Sequence, residues 1–600
     1  METSLKYRTE IDGLRAVAVL PVVFFHAGFT FFSGGYLGVD VFFVISGYLI
    51  TTIIFSNIQA NKFSFFEFYL RRTKRIIPAL FFVLIVFLIV FWVLMLPWDY
   101  ENYGAEVVAS VLFSNNIFHY ITSANYWGTE SDFKALLHTW SLGIEEQFYI
   151  FFPLLALFMS RLSNNPRIFI VGTIILVSLL TSVQLSSSKP MDAFFLLPFR
   201  VWELLAGSVI ALYAMPKINN SVLKEVAPLV GLLLIVMGMY LVNENTIASS
   251  EALYVVVGSM LIIYFATHDT FVGKLLSFKP FVWIGMISFS LYLWHQPVFV
   301  TFRLISLSEP SPVSYIPYIV LSIGLSIFSY KYIETFFRFQ WKVSNITFLS
   351  TIVCIAGLLV TSGYFIYSSA GISSRWSEYN LEHTKEMKNA NVVFNNSIGT
   401  KYGDLPFPRN KKENVLVVGN SFARDFINSG VINNYFKSYN LSYIYKALHG
   451  CTDLKRLNNI DIKTINLLKK ADHIIFASGD PGSTCINFFR IINDAPIIII
   501  GPKNFGWSTT ANLLERNSNG VDARVPVLER ILIESKKAEE SVGSNIFVNT
   551  LELIADQNRT VRIFNKNGKL LSFDTRHLTP EGAIYLGKLW FNHHLLEKFK

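Results

Sequence analysis

The stretch Ile77–Leu96 reads IPALFFVLIVFLIVFWVLML and contains no charged residue. A helix of that length rises about 30 Å, which matches the hydrocarbon thickness of a bilayer. Hydrophobic residues make up 52% of the chain and charged residues 16%, a composition unlike that of an ordinary soluble protein. With this stretch, eleven apolar runs precede residue 370, near 11–31, 38–57, 77–96, 140–159, 167–185, 199–214, 225–242, 252–267, 281–302, 314–333 and 348–367. The pattern predicts a multi-pass membrane protein.

The distribution of lysine and arginine between the apolar runs predicts the orientation of the chain. Segments 32–37 and 243–251 contain neither residue, and 97–139 contains only Lys134. The alternate connections are basic and contain Lys62, Arg71, Arg72, Lys74, Arg75, Arg161, Arg167, Lys217, Lys224, Lys274, Lys279, Arg338 and Lys342. Because cytoplasmic loops are enriched in these residues, we expect a cytoplasmic N-terminus and an extracytoplasmic chain after residue 370. These loops also account for much of the net charge of +9, so the charge requires no nucleic-acid partner.

The composition changes near residue 370. Residues 371–412 are polar without periodicity and predict an extracytoplasmic linker. Within 413–600, short apolar segments are spaced as strands at Val415–Val418, Tyr443–Tyr445, His473–Phe476, Pro496–Ile500 and Asn545–Val548, and an amphipathic helix follows Pro580. Strands alternating with helices predict an α/β domain with a parallel sheet.

Ionisable residues in the membrane region fall into two layers. Arg15 lies near the inner end of the first run, and Arg72 and Arg75 lie in the inner loop before the third. In a helix, His26 is about 16 Å further outward than Arg15. The outer halves of other runs carry His138, Glu146, Arg200, Glu203 and His295. Guanidinium groups bind phosphates and an imidazole can deprotonate a hydroxyl, so the layers favour a polyanionic donor inside and an acceptor outside.

Each of these residues also has a simpler interpretation. The arginine cluster near residue 72 can set topology alone, and a histidine in an apolar helix can be a packed structural residue. The carboxylates Glu146 and Glu203 can neutralise neighbouring cations.

Longer motifs occur in order along the same region. They are Asp12-Gly-Leu-Arg15-Ala, His26, Gly38-Val-Asp40-Val-Phe-Phe-Val-Ile-Ser46-Gly47-Tyr48-Leu, Arg72-Thr-Lys-Arg75-Ile-Ile-Pro78, His138-Thr-Trp140-Ser141-Leu-Gly-Ile-Glu145-Glu146-Gln147-Phe148-Tyr149, Phe199-Arg200-Val-Trp202-Glu203-Leu, Ser288-Phe-Ser290-Leu-Tyr292-Leu-Trp294-His295-Gln-Pro297 and Tyr332-Ile-Glu334. With them, residues 7–340 resemble the acyltransferase-3 family of membrane acyltransferases. One departure is Gly143-Ile144, where a Ser-Val pair is commoner.

The resemblance implies a bacterial inner-membrane protein. Residues 1–340 would form an α-helical bundle of about ten acyltransferase-3 helices, and residues 341–370 would form a linking transmembrane helix. It also implies acetyl-CoA as donor, with Arg15 and His26 essential and Arg72 and Arg75 in the donor site. No metal is expected.

A serine-based constellation is predicted outside the membrane. The strand Asn414–Val418 leads through Gly419 and Asn420 to Ser421 and a helix, and a helix N-terminus can stabilise an oxyanion. Asp574 precedes His577 by three residues, a spacing that lets the carboxylate orient the imidazole as a base for a serine.

These elements at the two ends of residues 413–600 resemble the SGNH-hydrolase fold. The closest similarity is to the version fused behind acyltransferase-3 domains in bacterial O-antigen and peptidoglycan O-acetyltransferases. By position, the resemblance makes Ser421 the nucleophile, His577 the base and Asp574 its orienting partner. Asn420 and Phe422 depart from the usual Gly-Asp-Ser-His.

Two oxyanion-hole residues of that fold have no clear counterpart in the sequence. Gly450 and Asn504 are the candidates for its glycine and asparagine.

The expected function is transfer of acetyl groups from cytoplasmic acetyl-CoA to a surface or lipid-linked glycan, with O-antigen of lipopolysaccharide as first acceptor and Ser421 as acyl carrier. Peptidoglycan or another exopolysaccharide is the alternative acceptor. Transfer directly at the membrane site, with the outer domain binding glycan, is the alternative route. A transporter, a glycan deacetylase and a scaffold with a decayed hydrolase domain are the rival classes.

Three cysteines are too few for a disulfide framework. Cys354 lies in the last apolar run, whereas Cys451 and Cys485 lie in the outer domain. The last two can pair in an oxidising compartment, but spacing alone does not decide it.

Overall fold

The protein forms two compact units in a computed structural model that describes residues 7–122, 131–212, 220–241, 251–375, 395–445, 462–478, 483–512, 520–572 and 574–600. The first unit contains most residues up to Ile372. The second contains Ser373–Lys600 together with the short segments Leu96–Trp98 and Leu304–Glu309.

The regular secondary structure described in the membrane region is helical. Its α-helices are α1 Thr9–His26, α2 Gly38–Gln59, α3 Phe65–Leu94, α4 Pro97–Val111, α5 Asn115–Thr122, α6 Trp140–Ser160, α7 Asn164–Ser188, α8 Pro190–Phe195, α9 Leu197–Leu212, α10 Ser221–Leu241, α11 Ala252–Phe265, α12 Phe271–Leu276, α13 Lys279–Ile305, α14 Ile316–Ser329 and α15 Asn345–Ser368. Two π-helical turns, Tyr330–Glu334 and Phe336–Gln340, continue α14.

Eight helical segments of the described chain are long and apolar enough to cross a bilayer. They are α2, α3, α6, α7, α8 with α9, α10, α14 with its π-helical turns, and α15. The other three predicted runs also form helices, although α1 carries three charges near its start, α11 has 14 residues and α13 contains His295 and Gln296. The chain is therefore a multi-pass membrane protein.

Three element boundaries differ from the sequence prediction. Helix α1 ends at His26, because Gly28 adopts φ +77° and leaves the helical path. Helix α3 begins at Phe65, where the Ser64 side chain accepts the Glu67 N–H, so Arg72 and Arg75 lie within a helix and not in a loop. The segment 97–139, predicted as a loop, contains α4 and α5.

Helices α2 and α9 pack with their backbones in contact. A Cβ added to Gly47 would lie 1.7 Å from the Leu204 carbonyl oxygen, and one added to Gly207 would lie 1.9 Å from that of Val44. Small residues permit such close approach in membrane helices. The contact fixes the part of α2 that contains Ser46, a residue that lines the cavity described below.

The second unit is an α/β domain, as predicted. Its elements are α16 Asn395–Tyr402, β1 Asn414–Gly419, α17 Ser421–Ile432, β2 Asn440–Tyr445, α18 Ile462–Lys470, β3 His473–Ala477, α19 Ser483–Ile492, β4 Ile497–Ile500, β5 Arg524–Pro526, α20 Glu529–Val542, β6 Phe547–Val548, α21 Thr550–Ile554, β7 Thr560–Arg562 and α22 Pro580–Asn592. The main sheet has the order β2-β1-β3-β4-β6 with all pairs parallel, and β5 pairs antiparallel with β7.

Strand β1 is an inner strand of this sheet, paired with β2 on one side and β3 on the other. Its residues from Val415 to Val418 are at most 2% exposed, so the sheet holds this strand rigidly. The strand delivers the chain to Ser421 at the carboxyl edge of the sheet, where ligand and catalytic groups gather in α/β proteins.

Candidate active sites

A cavity of about 100 Å³ lies in the membrane unit between α1, α2, α3, α6 and α13. The three arginines predicted from sequence, Arg15, Arg72 and Arg75, all line it, although α1 and α3 are far apart in sequence. Arg72 and Arg75 are three residues apart on one helix and therefore share a face. Glu145 is the acidic side chain among the described lining residues.

The charges around this cavity are not balanced. Arg15 is paired with Asp12 at 2.7 Å, and Arg72 stacks on the Tyr149 ring with its guanidinium 4.8 Å from the ring centre. Among the described residues, no carboxylate oxygen lies within 4.0 Å of a nitrogen of Arg72 or Arg75. The cavity therefore suits an anionic ligand that supplies the missing oxygen acceptors.

Two hydroxyl groups form a hydrogen-bonded chain with the acidic side chain of the cavity. The Tyr149 hydroxyl donates to Glu145 at 3.2 Å and shares a second hydrogen bond with the Ser46 hydroxyl. Sequence reasoning quoted these three residues in motifs but assigned them no role. Glu145 and Tyr149 are four residues apart on α6, a spacing that could have indicated the pair.

A histidine cluster forms a second feature of the membrane unit. His26 Nδ1 lies 3.2 Å from His295 Nε2, and the His138 ring centre lies 5.4 Å from that of His295. His138 and His295 are buried, whereas His26 is partly exposed. The sequence placed all three in the outer layer but did not predict that His26 and His295 touch.

Tyr292 joins the cavity to the histidine cluster. It lines the cavity, its hydroxyl donates to the His138 carbonyl at 2.7 Å, and its ring centre lies 5.6 Å from that of His295. Ser141, also in the cavity wall, shares a 2.7 Å hydrogen bond with the same hydroxyl. Sequence reasoning missed this link because it depends on the packing of α6 against α13.

The buried charges of α9 have a structural explanation. Arg200 binds Asp40 of α2 at 2.9 Å and approaches Glu203 at 3.3 Å. All three side chains are buried. Glu203 therefore neutralises a neighbouring cation, the simpler of the two interpretations that the sequence left open.

In the second unit, Ser421, His577 and Asp574 form a hydrogen-bonded chain. His577 Nε2 lies 2.6 Å from Ser421 Oγ, and its Nδ1 lies 2.5 Å from Asp574 Oδ2. The backbone N–H groups of Arg576 and His577 donate to Asp574 Oδ1 at 3.0 and 2.7 Å, so the carboxylate is held in place. The arrangement gives the serine a base and gives the base an orienting carboxylate.

The electrostatics of this chain suit proton transfer from the serine. Burial disfavours the charged form of His577, but the Asp574 carboxylate outweighs it and raises the pKa of His577 above the ordinary histidine value. Burial likewise opposes ionisation of Asp574, but His577 and the backbone N–H groups lower its pKa. An imidazolium formed when Ser421 loses its proton is therefore stabilised.

The turn between β1 and α17 explains why the sequence tolerates Asn420. Asn420 is the N-cap of α17, and its side-chain oxygen accepts the Phe422 N–H at 3.0 Å. Asparagine and aspartate cap helices about equally well. Gly419 has φ +147°, and an added Cβ would lie 1.9 Å from the Ala477 oxygen, so glycine is required before the cap.

A buried cation beside the serine was not foreseen. Lys503 Nζ lies 3.8 Å from the centre of the Phe422 ring and forms a 3.1 Å ion pair with the buried Asp425. Burial lowers the pKa of Lys503. Asp425 also accepts the Leu578 N–H at 3.1 Å, next to His577, so the pair holds the base-bearing segment. Phe422 thus packs against a cation at the position where histidine is usual.

The two oxyanion candidates have different outcomes. Gly450 lies outside the described residues. Asn504 is 1% exposed, and its side chain bonds the backbone of Gly506 and Leu528, an arrangement that shapes its own loop. Whether Cys451 and Cys485 pair, which the sequence left open, also falls outside the described part, since Cys451 and the Cys485 side chain are not described; Cys354 is free and exposed.

Comparison with known proteins identifies the membrane unit. A sequence profile of the acyltransferase-3 family, described as an acyltransferase domain, matches residues 8–331, more than half of the chain. The chain belongs to the acyltransferase-3 family. This match includes Arg15, His26, Arg72, Arg75 and His295, so the arginine cavity and the histidine pair both lie in the acyltransferase-3 region.

Three curated proteins are similar in sequence to this acyltransferase-3 protein. Peptidoglycan O-acetyltransferase OatA of Listeria monocytogenes is 31% identical over 55% of this chain and 56% of its own length. O-acetyltransferase OatA of Staphylococcus aureus strain MRSA252 is 32% identical over 60% of this chain and 64% of its own length. The putative peptidoglycan O-acetyltransferase YrhL of Bacillus subtilis is 31% identical over 56% of this chain and 55% of its own length. The chain thus matches little more than half the length of these curated relatives. No solved structure matches.

Proposed function

We propose that this acyltransferase-3 protein is an O-acetyltransferase that moves acetyl groups from acetyl-CoA to hydroxyl groups of a cell-surface glycan. The observation that carries the proposal is the cavity in which Arg15, Arg72 and Arg75 converge, linked through Tyr292 to the pair of His26 and His295. Arg72 and Arg75 have no carboxylate oxygen within 4.0 Å among the described residues, so they suit the phosphates of a coenzyme A donor. The relatives described above, which are named as O-acetyltransferases, support the activity class.

In this proposal the donor is bound from the cytoplasm. The basic connections, including the exposed Arg71 at the start of α3, favour a cytoplasmic position for that side of the bundle. Arg72 and Arg75 hold the phosphates of acetyl-CoA, and Arg15 completes the cationic surface. His26 accepts the proton of the hydroxyl that attacks the thioester, the C–S bond breaks, and the thiolate of CoA leaves and is protonated.

The second unit is proposed to be an extracytoplasmic SGNH-like domain that completes the transfer. His577 takes the proton of Ser421 as the Ser421 oxygen attacks the acetyl ester formed in the membrane step. The bond from the acetyl carbon to the first carrier oxygen breaks, and His577 returns the proton to that oxygen. A sugar hydroxyl then attacks the Ser421 ester while His577 takes its proton, the bond from the acetyl carbon to Ser421 breaks, and His577 returns the proton to the Ser421 oxygen. The 2.6 Å contact between Ser421 and His577 and the 2.5 Å contact between His577 and Asp574 support this role.

The proposed first acceptor is the O-antigen of lipopolysaccharide, because the sequence resembles the fused two-domain architecture of O-antigen O-acetyltransferases. Peptidoglycan is the second candidate, because two of the three relatives carry it in their names. Mass spectrometry of both glycans from cells with and without the gene distinguishes them: the true acceptor loses its ester-linked acetyl groups when the gene is deleted.

Purified full-length protein should release CoA from acetyl-CoA in an acceptor-dependent manner. We expect release to rise well above background when the correct glycan is added, because the thioester is broken only when a hydroxyl takes the acetyl group. Thiol release and acetyl-glycan formation should agree in amount. Absence of both with all surface glycans tested would overturn the proposed function, and release without acetylated product would indicate a hydrolase.

Replacing both Arg72 and Arg75 with alanine should weaken the use of acetyl-CoA. Each lost charge-assisted hydrogen bond is worth about 1.5–3 kcal/mol, so the KM for acetyl-CoA should rise by at least about tenfold. Arg71→Ala is the matched control, since it removes the same charge from an exposed position on the same helix, outside the cavity. Equal KM values in the double variant and the control would mean that Arg72 and Arg75 only set topology.

A further inference from the structure

The environments of His26 and His295 differ although their rings are in contact. His295 is fully buried in α13, whereas His26, the last residue of α1, is partly exposed. A fully buried ring does not contact a substrate directly, but it can determine the protonation and orientation of the ring that it contacts. The contact joins positions 269 residues apart in the chain.

The hydrogen bonds of His295 determine which of its nitrogens carries a proton. Its Nδ1 lies 3.1 Å from the backbone carbonyl oxygen of Leu291, which can only accept. Neutral His295 is therefore protonated on Nδ1, and its Nε2 is an acceptor. The 3.2 Å contact between that Nε2 and His26 Nδ1 then requires His26 to donate from Nδ1. His26 Nε2 is left with a free lone pair.

The end of α1 is held so that this contact is maintained. The guanidinium of Arg303, two turns after His295 on α13, donates to the backbone carbonyl of His26 and, at 2.8 Å, to the Tyr315 hydroxyl.

We propose that His295 is a positioning residue that holds His26 in the tautomer whose Nε2 accepts the proton of the attacking hydroxyl. The inference rests on the proposed function of His26 as a general base. It assigns His295 no contact with substrate. In other enzymes an acceptor behind a reacting histidine fixes its tautomer and orientation, and losing such a partner lowers activity by about 10- to 100-fold or more.

The test compares three substitutions, His295→Gln, His295→Asn and His295→Leu, in the purified full-length protein. The amide of Gln can place its oxygen near the position of Nε2 and accept from His26, whereas the shorter Asn reaches only the level of Nδ1. We expect kcat for acceptor-dependent CoA release to fall by about 10- to 100-fold in the Asn and Leu variants and by much less in the Gln variant. The KM for acetyl-CoA should stay unchanged, since His295 does not line the cavity.

A buried histidine elsewhere in the same unit gives the matched control. His119 is fully buried and interacts with Asn115 at 3.1 Å, and it is not a hydrogen-bond partner of His26 or His295, so His119→Gln should leave kcat near wild type. All rates are normalised to folded protein from size-exclusion chromatography, and if the Leu variant is not folded the Gln and Asn pair decides. Equal losses in Gln and Asn, or none in any variant, would overturn the inference while wild-type transfer stands. Lack of transfer by the wild type would instead overturn the proposed function.

Discussion

Ser421→Ala should reduce glycan acetylation by several orders of magnitude while leaving acetyl-CoA binding intact. The substitution removes the hydroxyl that lies 2.6 Å from His577 Nε2, so the imidazole has no nucleophile to activate. In serine hydrolases, loss of the nucleophile removes about 10⁶-fold in kcat. The arginine cavity belongs to the other unit, so donor affinity measured by calorimetry should match wild type.

Labelled acetyl-CoA tests directly whether Ser421 carries the acetyl group. Without acceptor, wild-type protein should yield a labelled peptide containing Ser421, and added glycan should remove the label. Ser438→Ala is the control, because Ser438 is an exposed serine of the same domain. Normal acetylation by the Ser421→Ala protein, with no labelled peptide in wild type, would show direct transfer at the membrane site and leave the outer domain as a glycan-binding or regulatory module.

His26→Ala should abolish transfer in a protein that is still folded and inserted. General-base catalysis contributes about 10² to 10⁴ in rate. Its neighbour His295 does not replace it, because the His295 ring is fully buried behind that of His26 and does not reach the substrate. Acceptor-dependent CoA release and labelling of Ser421 should be lost together, since both follow the membrane step.

The control for this variant is His268→Ala, which removes an exposed histidine of the same unit. Binding of acetyl-CoA should be retained in both variants, because neither histidine lines the arginine cavity. If His26→Ala supports glycan acetylation at the wild-type rate, His26 is a structural residue and the base must be sought elsewhere.

The His26→Ala and Ser421→Ala variants together establish whether the membrane step precedes acetylation of Ser421. If acetyl groups reach Ser421 through the membrane site, His26→Ala prevents labelling of Ser421, whereas Ser421→Ala does not prevent donor binding. A labelled Ser421 in the His26→Ala protein would mean that the outer domain accepts acetyl groups without that base.

Local composition was sufficient to predict the long helices of the membrane unit and the strands of the main sheet in the second unit. A long apolar run such as Ile77–Leu96 can satisfy its backbone in lipid only as a helix, so each of the eleven runs predicted a helix that the structure contains. In the second unit, short buried strands such as Val415–Val418 predicted a parallel sheet by their spacing. Motif residues, among them Arg15 and Arg72, were recognisable because the family resemblance lies in short contiguous motifs of the sequence.

Helix ends in polar sequence were harder to predict. The first turns of α3 lie outside the apolar run, so hydropathy placed Arg72 and Arg75 in a loop. The Ser64-Phe-Phe-Glu67 sequence is a capping signal that could have moved the boundary. Capping and packing determine where the amphipathic first turns of a membrane helix begin, and hydropathy does not detect either of them.

The partners of the catalytic candidates were decided only by tertiary structure. Nothing local in the sequence indicates that His295 touches His26, or that Lys503 lies over the Phe422 ring, because each contact joins segments that meet only after packing. Sequence determined which residues are candidates for chemistry, since a guanidinium or an imidazole is present in any fold, whereas its pKa and its contacts depend on the fold. Distance and burial determined what each can contact: Arg72 lines a cavity, the His295 ring meets that of His26, and Ser421 Oγ lies 2.6 Å from His577 Nε2.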